Sequence, residues 1–188
     1  MRLNMVANKN CTLFSGGLNG AETAFGEAAE KWGVKEVNFS FAGQKHQRDK
    51  DIVILSDDDL KRGDISMELV SQMMNRTYYE TDKIRKVLQT IFHMVNKGHQ
   101  VFVIGTILED NTVKGGTGWA VELAKLFNRP LSVYDQTKEN WYTWKQGAWE
   151  KDSPRIEHDT FVGSGTRNLN ENGKQAIEKL FEDAFGAE

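Results

Sequence analysis

Val101-Phe-Val-Ile-Gly105 is a short apolar run bounded by turn residues, the pattern of a strand buried on both faces of a parallel sheet. Downstream, Lys114-Gly-Gly-Thr-Gly-Trp-Ala-Val-Glu122 is a glycine turn that opens into an apolar-periodic helix, read over 119–127. A strand that runs into glycines and then a helix leaves few options for the chain. It must cross over the sheet and return parallel. The same unit occurs near the N-terminus in Thr12-Leu-Phe-Ser-Gly-Gly-Leu-Asn-Gly-Ala-Glu22. It recurs near the C-terminus in Thr160-Phe-Val-Gly-Ser-Gly-Thr-Arg167, ahead of a closing helix over 170–185.

The intervening segments fit the same scheme. Residues 11–14 read as the first strand and 21–32 as a helix with Ala24, Phe25, Ala28, Ala29 and Trp32 on one face; Gly33 ends it. Residues 34–41 alternate as a second strand. Gly43-Gln-Lys-His-Gln-Arg48 follows it directly, which places that loop at the carboxyl edge of the sheet. Ile52–Leu55 reads as a short extra strand or a packed loop. Residues 64–74 read as a helix with Ile65, Leu69 and Met73 on its apolar face. Residues 81–95 read as another, with Ile84, Val87, Leu88, Ile91 and Val95 inward. Leu131–Asp135 is a further strand. Residues 140–149 hold Trp141, Tyr142, Trp144 and Trp149 around Gln146-Gly147, the pattern of a small antiparallel hairpin. Its aromatics serve base stacking or, the favoured reading, packing against the domain or a second subunit. The expected architecture is α/β: one Rossmann-like domain over 1–188, an open and mostly parallel sheet with helices on both faces, plus the aromatic hairpin.

Composition excludes several classes. A net charge of −3 gives no global case for nucleic-acid binding, so that partner is not expected. Cys11 is the single cysteine, which rules out an internal disulfide and any cysteine-based zinc site. No apolar run approaches the roughly 20 residues of a membrane span, and the first ten residues lack a signal-peptide apolar region. A cytoplasmic protein without a membrane partner is the expectation. Asp57-Asp58-Asp59 has the wrong spacing for a calcium loop and reads as a solvated loop or helix cap, so no metal site is expected.

Function follows from where the glycines fall. In open α/β sheets, ligands bind beyond the carboxyl ends of the strands where the strand order reverses. Glycine turns there let backbone N–H groups approach a phosphate, and new helices point their positive ends at it. Neither turn is a dinucleotide fingerprint or a Walker loop. The candidate ligand-binding residues are Ser15, Gly16, Gly17, Asn19, Gly20 and Glu22 in the first turn. Gly105, Gly115, Gly116, Thr117, Gly118 and Trp119 belong to the second, and Gly163 and Arg167 to the third. Ser15 and Thr117 offer hydroxyl donors to phosphate, and Asn19 and Glu22 suit a ribose or an amide. Arg167 suits a bidentate phosphate contact or is a surface arginine. Asp135 takes ribose hydroxyls or caps a turn; Trp119 stacks on a base or, the favoured reading, anchors the core. The four histidines are scattered, and no Ser–His–Asp order can be defended.

Gly115-Gly-Thr-Gly-Trp-Ala-Val-Glu122 resembles the Pro-Gly-Gly-x-Gly-Thr-x-x-Glu signature of the Lonely Guy phosphoribohydrolases. With Ser15-Gly-Gly-x-x-Gly-Ala-Glu22, the chain resembles the wider SLOG superfamily of Rossmann-like proteins, which includes YpsA-like, DprA-like and putative molybdenum-carrier members. The Gly-Gly-Thr-Gly-Trp-Ala-Val segment is also similar to those of small phage-borne proteins. The resemblance implies a nucleotide-type ligand and a homo-oligomer. Glu122 matches the catalytic glutamate of the phosphoribohydrolases, or is a first-turn glutamate favoured by the helix dipole. Arg85-Lys86 faintly echoes their arginine–lysine element, with Arg76 as an alternative. Lys114 and Trp119 stand where they have proline and threonine. The leading expectation is a protein that binds a nucleotide-derived signal, ADP-ribose-like or cyclic, as a sensor or sequestering protein. The alternative is a nucleotide phosphoribohydrolase or other N-glycosidase using Glu122, so whether the protein is an enzyme stays open.

Overall fold

The computed structural model describes residues 8–79 and 81–186. Most of the stretch searched for a signal peptide, residues 1–7, lies outside them. The chain runs β1 (Thr12–Ser15), α1 (Ala21–Lys31), β2 (Lys35–Phe41), β3 (Ile52–Leu55), α2 (Asp57–Lys61), α3 (Asp64–Met74), α4 (Asp82–Lys97), β4 (Gln100–Gly105), α5 (Thr117–Leu126), β5 (Leu131–Asp135), β6 (Asn140–Lys145), β7 (Ala148–Lys151), β8 (Thr160–Gly165) and α6 (Glu171–Phe185). The strands form one 8-stranded sheet in the order β3-β2-β1-β8-β4-β5-β6-β7. The five pairings from β3 across to β5 are parallel; β5–β6 and β6–β7 are antiparallel. The architecture is therefore α/β, with a mostly parallel open sheet as the alternation of elements implies.

The two faces carry separate cores. On one, α1 and α6 pack over Leu13, Phe102, Ile104 and Phe161 through Phe25, Ile177 and Phe181. On the other, α3, α4 and α5 cover Val101, Val103, Val133 and Val162. The β4 run is buried along its whole length because it contacts both layers. Short polar residues shape the ends: Ser56 accepts the Asp59 N–H at the start of α2, and Asn170 accepts the Gly173 N–H at the start of α6. The three aspartates of 57–59 thus lie in the first turn of a capped helix, where the macrodipole favours them.

The structure departs from the periodicity at α3. Ile65 is 88% exposed, and Leu69 and Met73 also face outward. The inward stripe is Met67, Val70, Ser71 and Met74, packed against α5. The helix carries two apolar stripes, and contact with α5 selects the second. Ile52–Leu55 is a true strand, at the open edge of the sheet.

The hairpin extends the other edge. Gln146 and Gly147 both have positive φ (49° and 82°), the two-residue turn that matches strand twist. Trp141 packs on Tyr134 and Phe102, while Trp144 and Trp149 pack face to edge on the opposite side. There they enclose Lys125 of α5, whose ammonium lies 3.9 Å from the Trp144 ring centroid. No described helix is long and apolar enough to cross a membrane.

Candidate functional site

The chain winds outward from β1 to β3 on one side and from β4 to β7 on the other. It then inserts β8 between β1 and β4. The strand order reverses there, and a cavity of about 760 Å³ opens beyond the carboxyl ends of these strands. That volume lies within the roughly 300–1,000 Å³ of small-molecule sites.

The first and third glycine turns are joined across the reversal. Gly20 has φ 93°, and a Cβ there would stand 2.4 Å from the Thr166 carbonyl oxygen. Only glycine lets the two backbones meet, so the Ala21 N–H donates to Thr166 at 3.0 Å. Gly16 is constrained less tightly, by a side chain rather than by backbone: a Cβ there would lie 2.8 Å from Glu22 Oε2. The space it leaves lets the Glu22 carboxylate fold back over the turn and accept the Leu18 N–H at 3.0 Å. Glu22 Oε1 accepts the Ser164 hydroxyl at 3.3 Å.

The second turn is held from outside. Residues 106–116 form a loop closed by an antiparallel bridge between Ile107 and Val113. Arg76 reaches it from the end of α3 and donates to the Gly115 and Val113 carbonyls and to Thr112 Oγ1. A Cβ at Gly118 would meet the Val113 carbonyl oxygen at 2.2 Å, so that glycine lets the helix start press against the loop. Gly115 and Gly116 differ from it: nothing lies within 4 Å of a Cβ placed on either. Their N–H groups and that of Thr117 donate to no other described residue. They form the open start of α5, where a helix N-terminus favours an anion.

Charge at the cavity is asymmetric. Lys83, Lys114 and Arg167 line it, and none makes an ion pair with another described residue. Glu22 is the carboxylate among the lining residues. Burial pushes its pKa up, against the lowering effects of the Leu18 N–H, the Ser164 hydroxyl, the Arg167 charge and the Gly16 N–H. Phe39 and Phe41 from β2 and Val87, Leu88 and Ile91 from α4 supply an apolar wall.

The structure brings Gly16, Asn19, Glu22, Gly105, Gly115, Gly116, Thr117 and Arg167 to this cavity. It draws the other sequence candidates away, each for a physical reason. Ser15 is fully buried, and its hydroxyl donates to the Gly163 carbonyl at 2.7 Å, tying β1 to β8. Gly17 offers its carbonyl to the Gln47 and Arg48 N–H groups, and Gly20 serves the joint described above. Gly163 makes room for the Phe25 ring. Arg76 and Gly118 shape the loop from behind. Trp119 is a core anchor, 5.8 Å from the Tyr78 ring. Asp135 caps turns: Oδ2 accepts the Ile107 N–H, and Oδ1 those of Thr137 and Lys138.

Glu122 faces away from the cavity. Its carboxylate pairs with Lys125 at 3.3 Å, beneath Trp144 and Trp149. Burial lowers the Lys125 pKa, with Glu122 opposing the fall. Sequence reasoning missed Lys83, Thr106, Ser164 and the α4 wall. A signal for the wall was present, since the α4 stripe begins at Ile84, a full turn before Leu88, where the helix becomes buried. No family model, curated protein or solved structure matches the chain.

Proposed function

We propose that this protein binds a nucleotide-derived small molecule of the ADP-ribose or cyclic-nucleotide type and acts by sensing or sequestering it. The observation that carries this reading is the pairing of two unlike cavity ends. Among the described residues, the N–H groups at the α5 start donate to no partner and Lys114 and Arg167 make no ion pair, which suits phosphate, while β2 and α4 line the same cavity with an apolar wall for a base. The motif resemblance to SLOG proteins agrees with it. Calorimetry at high protein concentration against nucleoside phosphates and ADP-ribose tests it; absence of binding across that panel refutes it. Native mass spectrometry of the freshly purified chain, followed by denaturing extraction, identifies any co-purified ligand and counts subunits. A homo-oligomer belongs to the same proposal. The outward Ile65, Leu69 and Met73 face of α3 supports it better than the hairpin tryptophans, which pack within the chain on Lys125 (Trp144 and Trp149) or on Tyr134 and Phe102 (Trp141).

A second reading, cleavage of an N-glycosidic bond, is favoured by one observation. A buried carboxyl with a raised pKa lines the cavity, and it is Glu22 rather than Glu122. A carboxyl of that kind suits protonation of a departing base. Release of free base, lost in Glu22→Gln and kept in Glu122→Gln, is the expected result. Loss in Glu122→Gln alone, with the fold intact, overturns the assignment.

A further inference from the structure

We propose that the β2–α4 end of the cavity is a recognition subsite for a nucleobase carrying an exocyclic amine, with Gln44 as the residue that determines specificity and Ser40 as a second polar residue of the lining. This rests on the nucleotide-binding reading and adds which end takes the base and what edge the base presents.

Two independent features single out this end. The first is apolar. Ile84, at the mouth beside Val87, is 45% exposed although it continues the buried stripe of α4. Together with Phe39, Phe41, Leu88 and Ile91 it makes a surface that water leaves favourably when a flat ring covers it.

The second is polar. Buried side-chain atoms without a hydrogen-bond partner are rare in folded proteins, and each calls for an explanation. Among the described residues, Ser40 Oγ and Gln44 Oε1 are two such atoms, and of those without partners only they belong to residues lining this cavity. Ser40 is 1% exposed. Gln44 is not on a loose loop. Its N–H donates to the Phe41 carbonyl, and the Gln47 and Arg48 N–H groups both donate to the Gly17 carbonyl. Arg48 is fixed in turn by Glu36 at 2.7 Å and by Glu30. The braced loop thus contributes a carboxamide, an acceptor and a donor in one group, to the lining of the same cavity as the apolar wall. An amine adjacent to a ring nitrogen presents the matching donor and acceptor, the pairing by which glutamine reads adenine. A purely hydrocarbon ligand leaves both orphan atoms unsatisfied, and an anion adds a further acceptor where a donor is needed.

The test uses matched pairs that differ only in the amine. Adenosine 5′-monophosphate is compared with purine riboside 5′-monophosphate, and cytidine 5′-monophosphate with its 4-deamino analogue pyrimidin-2-one riboside 5′-monophosphate. Ribose 5-phosphate is the baseless control. Each is titrated calorimetrically into the full chain, the Gln44→Leu variant and the Ser40→Ala variant. In the wild-type chain, the amine-bearing member of at least one pair binds about tenfold tighter or more. The gap narrows to within about threefold in Gln44→Leu and shrinks in Ser40→Ala, while ribose 5-phosphate affinity is unchanged. Equal affinities within both pairs in the wild-type chain overturn the proposal, as does a Gln44→Leu variant that weakens ribose 5-phosphate as much as the nucleotides. Should neither these phosphates nor ADP-ribose bind, the nucleotide reading itself fails and the subsite with it. Should all bind alike, only the base subsite fails.

Discussion

Replacing Arg76 with alanine removes a brace that never touches the cavity it serves. The guanidinium donates to the Val113 carbonyl and Thr112 Oγ1, each at 3.0 Å and part-buried, and to the exposed Gly115 carbonyl at 3.1 Å. Hydrogen bonds from a charged donor contribute roughly 1.5–3 kcal/mol each when shielded from water. Counting the two part-buried bonds at the low end and discounting the exposed one for screening gives a loss of about 3 kcal/mol. For a domain of this size, a urea slope of about 2 kcal/mol per molar turns this into a midpoint lower by about 1.5 M. Arg76→Lys keeps the charge but not the fork and recovers about half of the loss. Equilibrium unfolding followed by far-UV circular dichroism reads both variants in the absence of ligand. A ligand-contacting Arg76 would behave otherwise, with little change in stability and loss of affinity alone. A midpoint shift under about 0.3 M with impaired phosphate binding would refute the bracing role.

Glu22→Gln tests the buried carboxyl. A folded pKa raised above the unfolded one stabilises the protein fully below the ordinary glutamate value of 4.5, and that contribution is lost as pH rises through the folded value. Unfolding midpoints of the wild-type chain therefore fall as pH rises above the ordinary glutamate value, and those of the variant fall less; parallel curves would contradict the assignment. Glu122→Gln leaves Lys125 buried with the Asn111 carbonyl, two indole faces and the more distant charge of Asp110. Its expected cost is about 2 kcal/mol, below the roughly 3–5 kcal/mol of a fully orphaned buried charge, with ligand affinity unaltered; weakened binding without destabilisation would return Glu122 to the site. Gly116→Ala separates fold from function, because the residue has ordinary helical φ and ψ (−61°, −28°) and open space around it. Stability stays within about 0.5 kcal/mol, while calorimetry shows phosphate affinity falling about tenfold as a methyl stands at the N–H groups; unchanged affinity would place the anion elsewhere.

These variants also mark where the sequence was legible. Glycine spacing placed all three turns at one sheet edge, because a strand–turn–helix unit fixes direction locally and parallel crossovers have one hand. It did not distinguish what each glycine is for. Gly20, Gly118 and Gly163 admit neighbouring backbone or a phenyl ring, whereas Gly115 and Gly116 face open space; that distinction depends on residues far along the chain, such as Thr166, Val113 and Phe25. The same limit explains the two glutamates. Glu22 and Glu122 both follow a glycine turn in the sequence, and local pattern treats both as first-turn glutamates; Glu22 is one, whereas α5 starts at Thr117 and has no acidic residue in its first turn. Glu22 folds back onto the Leu18 N–H within its own turn and stays at the cavity, while Lys125, three residues on and roofed by a hairpin from another part of the chain, holds Glu122 on the far side of its helix. The α3 stripe was misassigned for a related reason. Two apolar faces compete on that helix, and only the position of α5 decides between them. What a single sequence carries well is the direction of the chain and the chemistry available at its turns. Which of those groups remain free for a ligand is decided by long-range partners, which consume Ser15, Arg76 and Asp135 and, among the described residues, leave the Lys114 and Arg167 side chains without an ion pair and the Gly115–Thr117 amides without an acceptor.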